Sequence, residues 1–430
     1  MLDVIVIIKN FKKLAITPLR KSGLTIISSG LDAIKTEKVI SENIKIKDAI
    51  LKIQDKSFNL RQFRRIFFVG IGKAALSGAK AIEKVLGKYL VDGISLDVNK
   101  GKLRKIQSIS GTHPFPSERN IKATQKIIKI LKEAGKNDLV IALISGGGSA
   151  LLCSLTKATC DEEVLLTQLL FKKGANIKEI NTVRKHISDI KGGNFAKLAY
   201  PATVIGLIFS DVPGCAPSVV ASGPTYQDTT TVEDAKKVIK KYHLPRLELF
   251  ETPKERKYFR RVYNFLLVCN DDAQDAMSKK AKELGFKTKK VSSSIEGEAR
   301  RVGKLLAKLA KPGWAIIAGG ETTVKVKHKG RGGRNQELVL GALGVLPKGA
   351  LIISINSDGF DNTPVAGALG DDIILERARK LRMDPEKYLR ENASYKFFER
   401  VGGHIITGPT GINVSDLMLI LMGKKWLKDL

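Results

Sequence analysis

The sequence predicts an α/β fold made of two α/β domains, and three observations carry that prediction. Short apolar runs such as Arg65-Ile66-Phe67-Phe68-Val69 and Asp138-Leu139-Val140-Ile141-Ala142-Leu143-Ile144 have the length and composition of buried strands. They alternate with longer amphipathic segments, the spacing expected of parallel sheets covered by helices on both faces. Several strand-like runs end in loops of glycine and other small residues, where open α/β sheets place their ligands.

In chain order, a helical region around residues 22–54 comes first. Strand-like runs follow at 65–69, 93–98, 138–144, 202–209, 264–269, 314–318, 323–327, 350–355 and 417–421. Between them, helical periodicity covers 73–88, 118–133, 161–173, 232–243, 272–284, 295–309 and 371–381. Charged residues cluster around Pro245 and Pro253, with Arg256, Lys257, Arg260 and Arg261 close by. That break gives domains of 1–245 and 246–430, each of ordinary domain size. The terminal segments could still cross over and pack on the other domain.

A chain of 430 residues with 43% hydrophobic and 27% charged residues has the profile of a globular protein with sizeable cores. The N-terminal run Met1-Leu2-Asp3-Val4-Ile5-Val6-Ile7-Ile8 precedes Lys9, Lys12 and Lys13. A signal peptide has the opposite charge order, and the run is too short to span a membrane. A cytoplasmic protein is expected, with no membrane partner. Cys153, Cys160, Cys215 and Cys269 show no ligand spacing, so a reducing compartment without a disulfide scaffold is expected. The net charge of +31 is spread along most helices, and no zinc finger or helix-turn-helix pattern appears. Nucleic acid is therefore not an expected partner, although the positive field should concentrate anionic substrates.

The loops carry the chemistry. Gly330-Arg331-Gly332-Gly333-Arg334-Asn335-Gln336-Glu337 sets two arginines and three glycines ahead of an amphipathic run, which reads as a small-oxyanion site. A glycine-rich turn with solvated arginines is the other reading. Gly70-Ile71-Gly72-Lys73-Ala74-Ala75 matches the dinucleotide fingerprint with Ala in third place, and is not a Walker A loop. Lys73 in a first helical turn opposes the helix dipole unless an anion sits there; otherwise its stem lies on the helix and its head reaches water. Ser145-Gly146-Gly147-Gly148-Ser149 can form a nest of N–H groups for phosphate or carboxylate.

Asn181 and Lys185 share a helix face, as do Thr182 and His186, and that face either lines an anion site or is solvated. Asp211, Glu321, Asp358 and Asp361 follow strands, where they would hold Mg²⁺, accept a hydroxyl proton, or cap loops and helices. His113 lies in the rigid segment Thr112-His113-Pro114-Phe115-Pro116.

As a set, these motifs resemble the class II glycerate kinases, the glycerate 2-kinases of the MOFRL type. Further matching segments are Lys191-Gly192-Gly193, Ser210-Asp211-Val212-Pro213-Gly214, Ala221-Ser222-Gly223-Pro224-Thr225, Glu296-Gly297-Glu298-Ala299, Gly319-Gly320-Glu321-Thr322-Thr323 and Thr407-Gly408-Pro409-Thr410-Gly411. The resemblance implies a Rossmann-like N-terminal domain, a smaller C-terminal domain and an active site in the cleft between them. It implies ATP- and Mg²⁺-dependent phosphorylation of glycerate, usually at the 2-hydroxyl; the oligomeric state, monomer or homodimer, stays open. Carried over, Lys73, Arg334 and Asp211 would be catalytic. Gly70, Gly72, Ser145, Gly146, Gly147, Gly148, Ser149, Asn181, Lys185, Glu321, Gly332, Gly333 and Asp358 would bind phosphate or substrate, with the metal ligands unassigned. The chain departs from the pattern at Cys215-Ala216, which bears on the chemistry near Asp211, and more mildly at Ser357, Asn362 and Ile412. An NAD(P)H-dependent hydroxypyruvate reductase is the alternative, with Asp92 or Asp97 at the spacing of a ribose-binding acid.

Overall fold

The structure, a computed structural model, describes residues 7–156, 159–245 and 247–424. The apolar N-terminal run therefore lies outside the described residues as far as position 6. Two compact units divide the chain: Thr36–Ser210 with Ala216–Leu267, and Met1–Lys35 with Asp211–Cys215 and Val268–Leu430. Among the described residues, no helix is long and apolar enough to cross a membrane.

The first unit is built on a six-stranded sheet. Its strands lie in the order Ile106–Ser110, Leu90–Asp97, Arg65–Ile71, Asp138–Ser145, Thr203–Phe209, Val262–Val268. Numbered along the chain this is 3-2-1-4-5-6, the doubly wound order, and the first four pairings are parallel. The order reverses between Arg65–Ile71 and Asp138–Ser145, which run in register from Arg65 opposite Asp138 to Ile71 opposite Ile144. Every residue of Asp138–Ser145 is buried. That is why it reads as an unbroken apolar run and not as an alternating one. Its one charged residue, Asp138, is held by Arg65 at 2.6 Å. A small antiparallel sheet, Ile44–Lys47, Ile50–Ile53 and Lys56–Asn59, replaces the C-terminal part of the helical region expected there.

The second unit is α/β with a mixed sheet, in the order Lys287–Lys290, Trp314–Gly320, Asp416–Met422, Ala350–Asn356, Gly367–Gly370, His404–Ile405. Only the first pair is parallel; the other four pairings are antiparallel. The expectation of parallel sheets throughout fails here, because an apolar run reports burial on both faces and not strand direction. The Thr323–Lys327 segment makes an isolated bridge to Glu298 instead of a strand.

The division also differs from a cut after residue 245. Helix Pro18–Ala33 packs on helix Asn270–Glu283, where a methyl at Gly30 would lie 2.8 Å from Met277 Cγ. Arg20, fully buried, binds both oxygens of Asp371 at 2.6 Å. These contacts tie the N-terminal helix to the C-terminal half. Val262–Val268, in turn, completes the doubly wound sheet, so the chain leaves that unit at 267.

All four cysteines are paired, Cys153 with Cys160 and Cys215 with Cys269. This corrects the expectation of no disulfides. The second pair is 54 residues apart and meets only after folding, so spacing could not show it.

Candidate anion-binding and phosphoryl-transfer sites

Two of the glycine loops lie side by side at the point where the strand order of the first unit reverses. They look alike in sequence, but their amides go to different places. In the 70–76 turn every N–H from Gly72 onward has a protein acceptor. Gly72 donates to Leu96 O, Lys73 to Gly146 O, Ala75 to Gly72 O, Ala74 to Ser145 Oγ (3.1 Å) and Leu76 to Asp97 Oδ2 (2.9 Å). Gly72 takes φ +111°, and a methyl there would lie 2.2 Å from Ser145 Oγ. The fingerprint glycines thus close this loop onto its neighbour and leave no amides for a phosphate. Gly70 and Gly72 are packing residues, and Ser145, which also donates to Ile71 O, is the staple between the loops.

The neighbouring loop behaves in the opposite way. Among the described residues, the amides of Gly146, Gly147, Gly148 and Ser149 have no intramolecular acceptor. Gly147 is left-handed, at φ +81°, which turns successive N–H groups toward one side. A methyl on Gly147 would lie 3.2 Å from Lys73 Cγ and 3.3 Å from His113 Cδ2. The Lys73 stem and the His113 ring therefore flank the open amides.

The floor of this nest is polar. Ser149 Oγ lies 2.9 Å from Ser222 Oγ, and Ser222 donates to Asn181 Oδ1 at 3.0 Å. Ala221, Ser222 and Gly223 are consecutive left-handed residues, and Ala221 Cβ comes within 2.7 Å of where a methyl on Gly148 would stand. Arg184 Nη2 donates to Ser149 O at 2.7 Å, while its Nε holds Glu163 Oε1 at 2.9 Å. Glu163 and its other partner, Lys191, are both buried. Burial disfavours the Glu163 charge, but Lys191 and Arg184 outweigh it and hold the carboxyl below its ordinary value. Asn181 is thus brought to the loop and Lys185 is not, since Lys185 pairs with Asp228 at 3.0 Å. His186 is fully buried, with Nδ1 2.8 Å from Thr182 O, so the face is not solvated.

Asp97 sits at the ribose-binding position of a dinucleotide fold. Here it accepts the Leu76 and Asn99 amides and so caps the preceding helix, Ala75–Leu86. Burial pushes its carboxyl up.

In the second unit the glycines before helix Arg334–Leu343 also have packing duties. A methyl on Gly332 would lie 2.0 Å from Ser394 Oγ, and one on Gly333 2.0 Å from Asp361 O. The helix N-terminus is already occupied by an anion: Asp361 accepts the Asn335 amide at 3.0 Å and the Gln336 amide at 2.9 Å. Arg331 stacks on Tyr395, its guanidinium 4.3 Å from the ring centre. The oxyanion reading of this turn therefore narrows to Arg334.

Arg334 is clamped. Its Nε and Nη2 bind the two oxygens of Asp416 at 2.7 and 3.0 Å, and its Nη1 binds Glu321 at 2.6 Å. Burial works against its charge, but Asp416 and Glu321 raise its pKa above the usual arginine value. Asp358 accepts the Phe360 amide at 2.9 Å, the turn role open to it from the sequence. Asp211 receives Asn413 Nδ2 at 2.9 Å on its carboxylate, and Ser415 Oγ donates to its carbonyl.

Sequence reasoning missed Ser222 and Arg184 as ligands of the nest, and Asp416 as the anchor of Arg334. The signal for Asp416 was a lone acid opening an apolar strand-like run, since such a residue is buried and must have a partner.

A doubly wound sheet with an open amide nest and a lysine at its switch point defines the class: an α/β protein with a candidate anion-binding site at the carboxyl ends of its strands. The comparisons are more specific. Residues 23–250 match the family described as "Domain of unknown function (DUF4147)", and residues 314–416 match the "MOFRL family". A glycerate 2-kinase of Pyrococcus horikoshii is 36% identical, over 95% of this chain and 98% of its own length. The crystal structure of a glycerate kinase from Thermotoga maritima superposes with a TM-score of 0.82 at 36% identity, covering 94% of this chain and 99% of that one. A putative hydroxypyruvate reductase of Agrobacterium vitis is 38% identical over 84% of this chain and 87% of its own. The chain belongs to the MOFRL family of class II glycerate kinases.

Proposed function

We propose that this protein is a glycerate 2-kinase, transferring the terminal phosphoryl group of ATP to the 2-hydroxyl of glycerate to give 2-phosphoglycerate and ADP in the cytoplasm. Full-length kinase relatives support the reaction class. The observation that carries the site assignment is the set of open amides at 146–149 beside Lys73. Phosphoryl transfer is mostly positioning and charge stabilisation, so N–H groups and cations fixed before the reaction matter more than a strong base. In this reading the nest and Lys73 hold anionic oxygens, and Ser149, Ser222 and Asn181 offer hydroxyl and amide partners to a small polar acid. Arg334, in the second unit, is the other cation that the family pattern carries over as catalytic. The glycerate hydroxyl oxygen forms the new bond to phosphorus, ADP leaves, and the hydroxyl proton passes to solvent.

Magnesium, when bound, would supply positive charge to offset that of the nucleotide phosphates. Among the described residues, the group of three potential ligands that converges is Cys215, Cys269 and Asp271, and its two sulfurs are already bonded to each other. The chain thus fits an ion carried on the nucleotide and held by one or two carboxylates, with Asp211 the candidate.

The reductase alternative is disfavoured by the same hydrogen bonds. The amides that would receive a dinucleotide pyrophosphate are spent, and Asp97 caps a helix. The test is ADP release with glycerate and ATP, product NMR to locate the phosphate, and NADH oxidation with hydroxypyruvate as control. Lys73→Ala should lower turnover by ~10²–10³, as removal of one preorganised donor does. Unchanged turnover in that variant, or NADH oxidation at a kinase-like rate, would overturn the reading.

A further inference from the structure

We infer that Asp416 is a positioning residue for Arg334, and that the pair acts as one unit in turnover; the inference rests on the kinase reading above. Arg334 is the first residue of its helix, where a cation is opposed by the helix dipole and a long side chain has many rotamers. Asp416 removes both problems. It is fully buried at the start of strand Asp416–Met422, and it takes Nε and Nη2 of Arg334 in a two-pronged bond. Its own position is fixed in turn: Asn335 Nδ2 donates to Oδ1 at 2.9 Å, and Asn335 Oδ1 accepts from Ser354 on the adjacent strand.

The clamp is directional. A guanidinium has five N–H donors. Asp416 takes two and Glu321 one, so among the described residues one N–H on Nη1 and one on Nη2 remain. These are the terminal nitrogens that suit a phosphoryl group. Glu321 is about half exposed, its side chain at 48%, so it can exchange for an incoming anion, whereas Asp416 at 0% cannot. The buried carboxylate sets the plane of the fork, and the exposed one holds the place of the ligand.

The test is a double-mutant cycle on the full chain, with kcat, KM for glycerate and melting temperature measured for each variant. Arg334→Ala should lower kcat by ~10²–10³. Asp416→Asn keeps the shape and should lower kcat roughly 10- to 100-fold, the usual effect of a misplaced catalytic group, with KM for glycerate within a few-fold. In the Arg334→Ala background, Asp416→Asn should cost nothing further in kcat. Independent, multiplying losses would overturn the inference, as would full kcat in Asp416→Asn. If Asp416→Asn folds poorly, Asp416→Glu keeps the charge but shifts it by one methylene; a lowered kcat at near-native melting temperature supports the inference, and native kcat refutes it. Full turnover in Arg334→Ala alone would instead remove the catalytic role of Arg334, and the inference with it.

Discussion

Gly147 combines a left-handed backbone with a crowded Cα, and the two constraints can be separated by experiment. An alanine there pays the strain of a positive φ, about 1–2 kcal/mol, and also sets a methyl against Lys73 and His113. Gly174 has nearly the same φ, +79°, but nothing within 4 Å of an added methyl. Both substitutions should lower stability by about 1–2 kcal/mol in urea titrations. Only Gly147→Ala should also lower kcat/KM for glycerate, by tenfold or more; equal activity in the two variants would detach Gly147 from the site. At this scale the sequence showed where glycines cluster but not what they serve. Gly70, Gly72, Gly332 and Gly333 read as ligand loops, yet their neighbours fill the space. The direction of an amide depends on partners such as Ser145 and Asp361, which are remote in the chain.

Helix Ile177–Lys185 shows how an element can support a loop without touching the ligand. Its Arg184 spans from buried Glu163 to the carbonyl of Ser149, fixing the last residue of the nest. Arg184→Met keeps the stem and leaves the Glu163–Lys191 pair in place. It should lower kcat/KM about tenfold through lost positioning, at a stability cost of about 1–3 kcal/mol for a charged hydrogen bond. Steady-state kinetics beside thermal melts would show whether activity falls more than stability explains. The helix itself was legible, because its residues form a capped amphipathic segment. That Asn181 faces the nest while Lys185 turns to Asp228 was not, since both occupy one face in sequence and Asp228 lies 43 residues away. Strand direction in the second sheet was hidden for a related reason: Asp416–Met422 pairs with two strands far upstream.

For the whole molecule, the doubly wound unit was largely legible because its strands and helices alternate in order. The partition was not, since it depends on Arg20 meeting Asp371 across 351 residues. Stability at acid pH follows from a similar long-range setting. His404 is packed against Tyr395, and burial, with Arg331 nearby, pushes its pKa down to about 4. The native state therefore holds it neutral while the unfolded chain takes up a proton near the ordinary value. Its contribution is intact above that ordinary pKa and is lost as pH falls toward about 4, amounting to about 2 kcal/mol between pH 7 and pH 5. His404→Phe should flatten that part of the stability–pH curve relative to the native chain in denaturant titrations; an unchanged slope would exclude His404 as its source.

The Cys215–Cys269 bond has a topological consequence. Both cysteines belong to the second unit, and the chain between them, Ala216–Leu267, belongs to the first. The chain from Cys215 to Cys269 is thus a covalent ring. A protease that nicks it once produces no free fragment while the sulfurs stay joined: the two polypeptides remain one molecule through that bond.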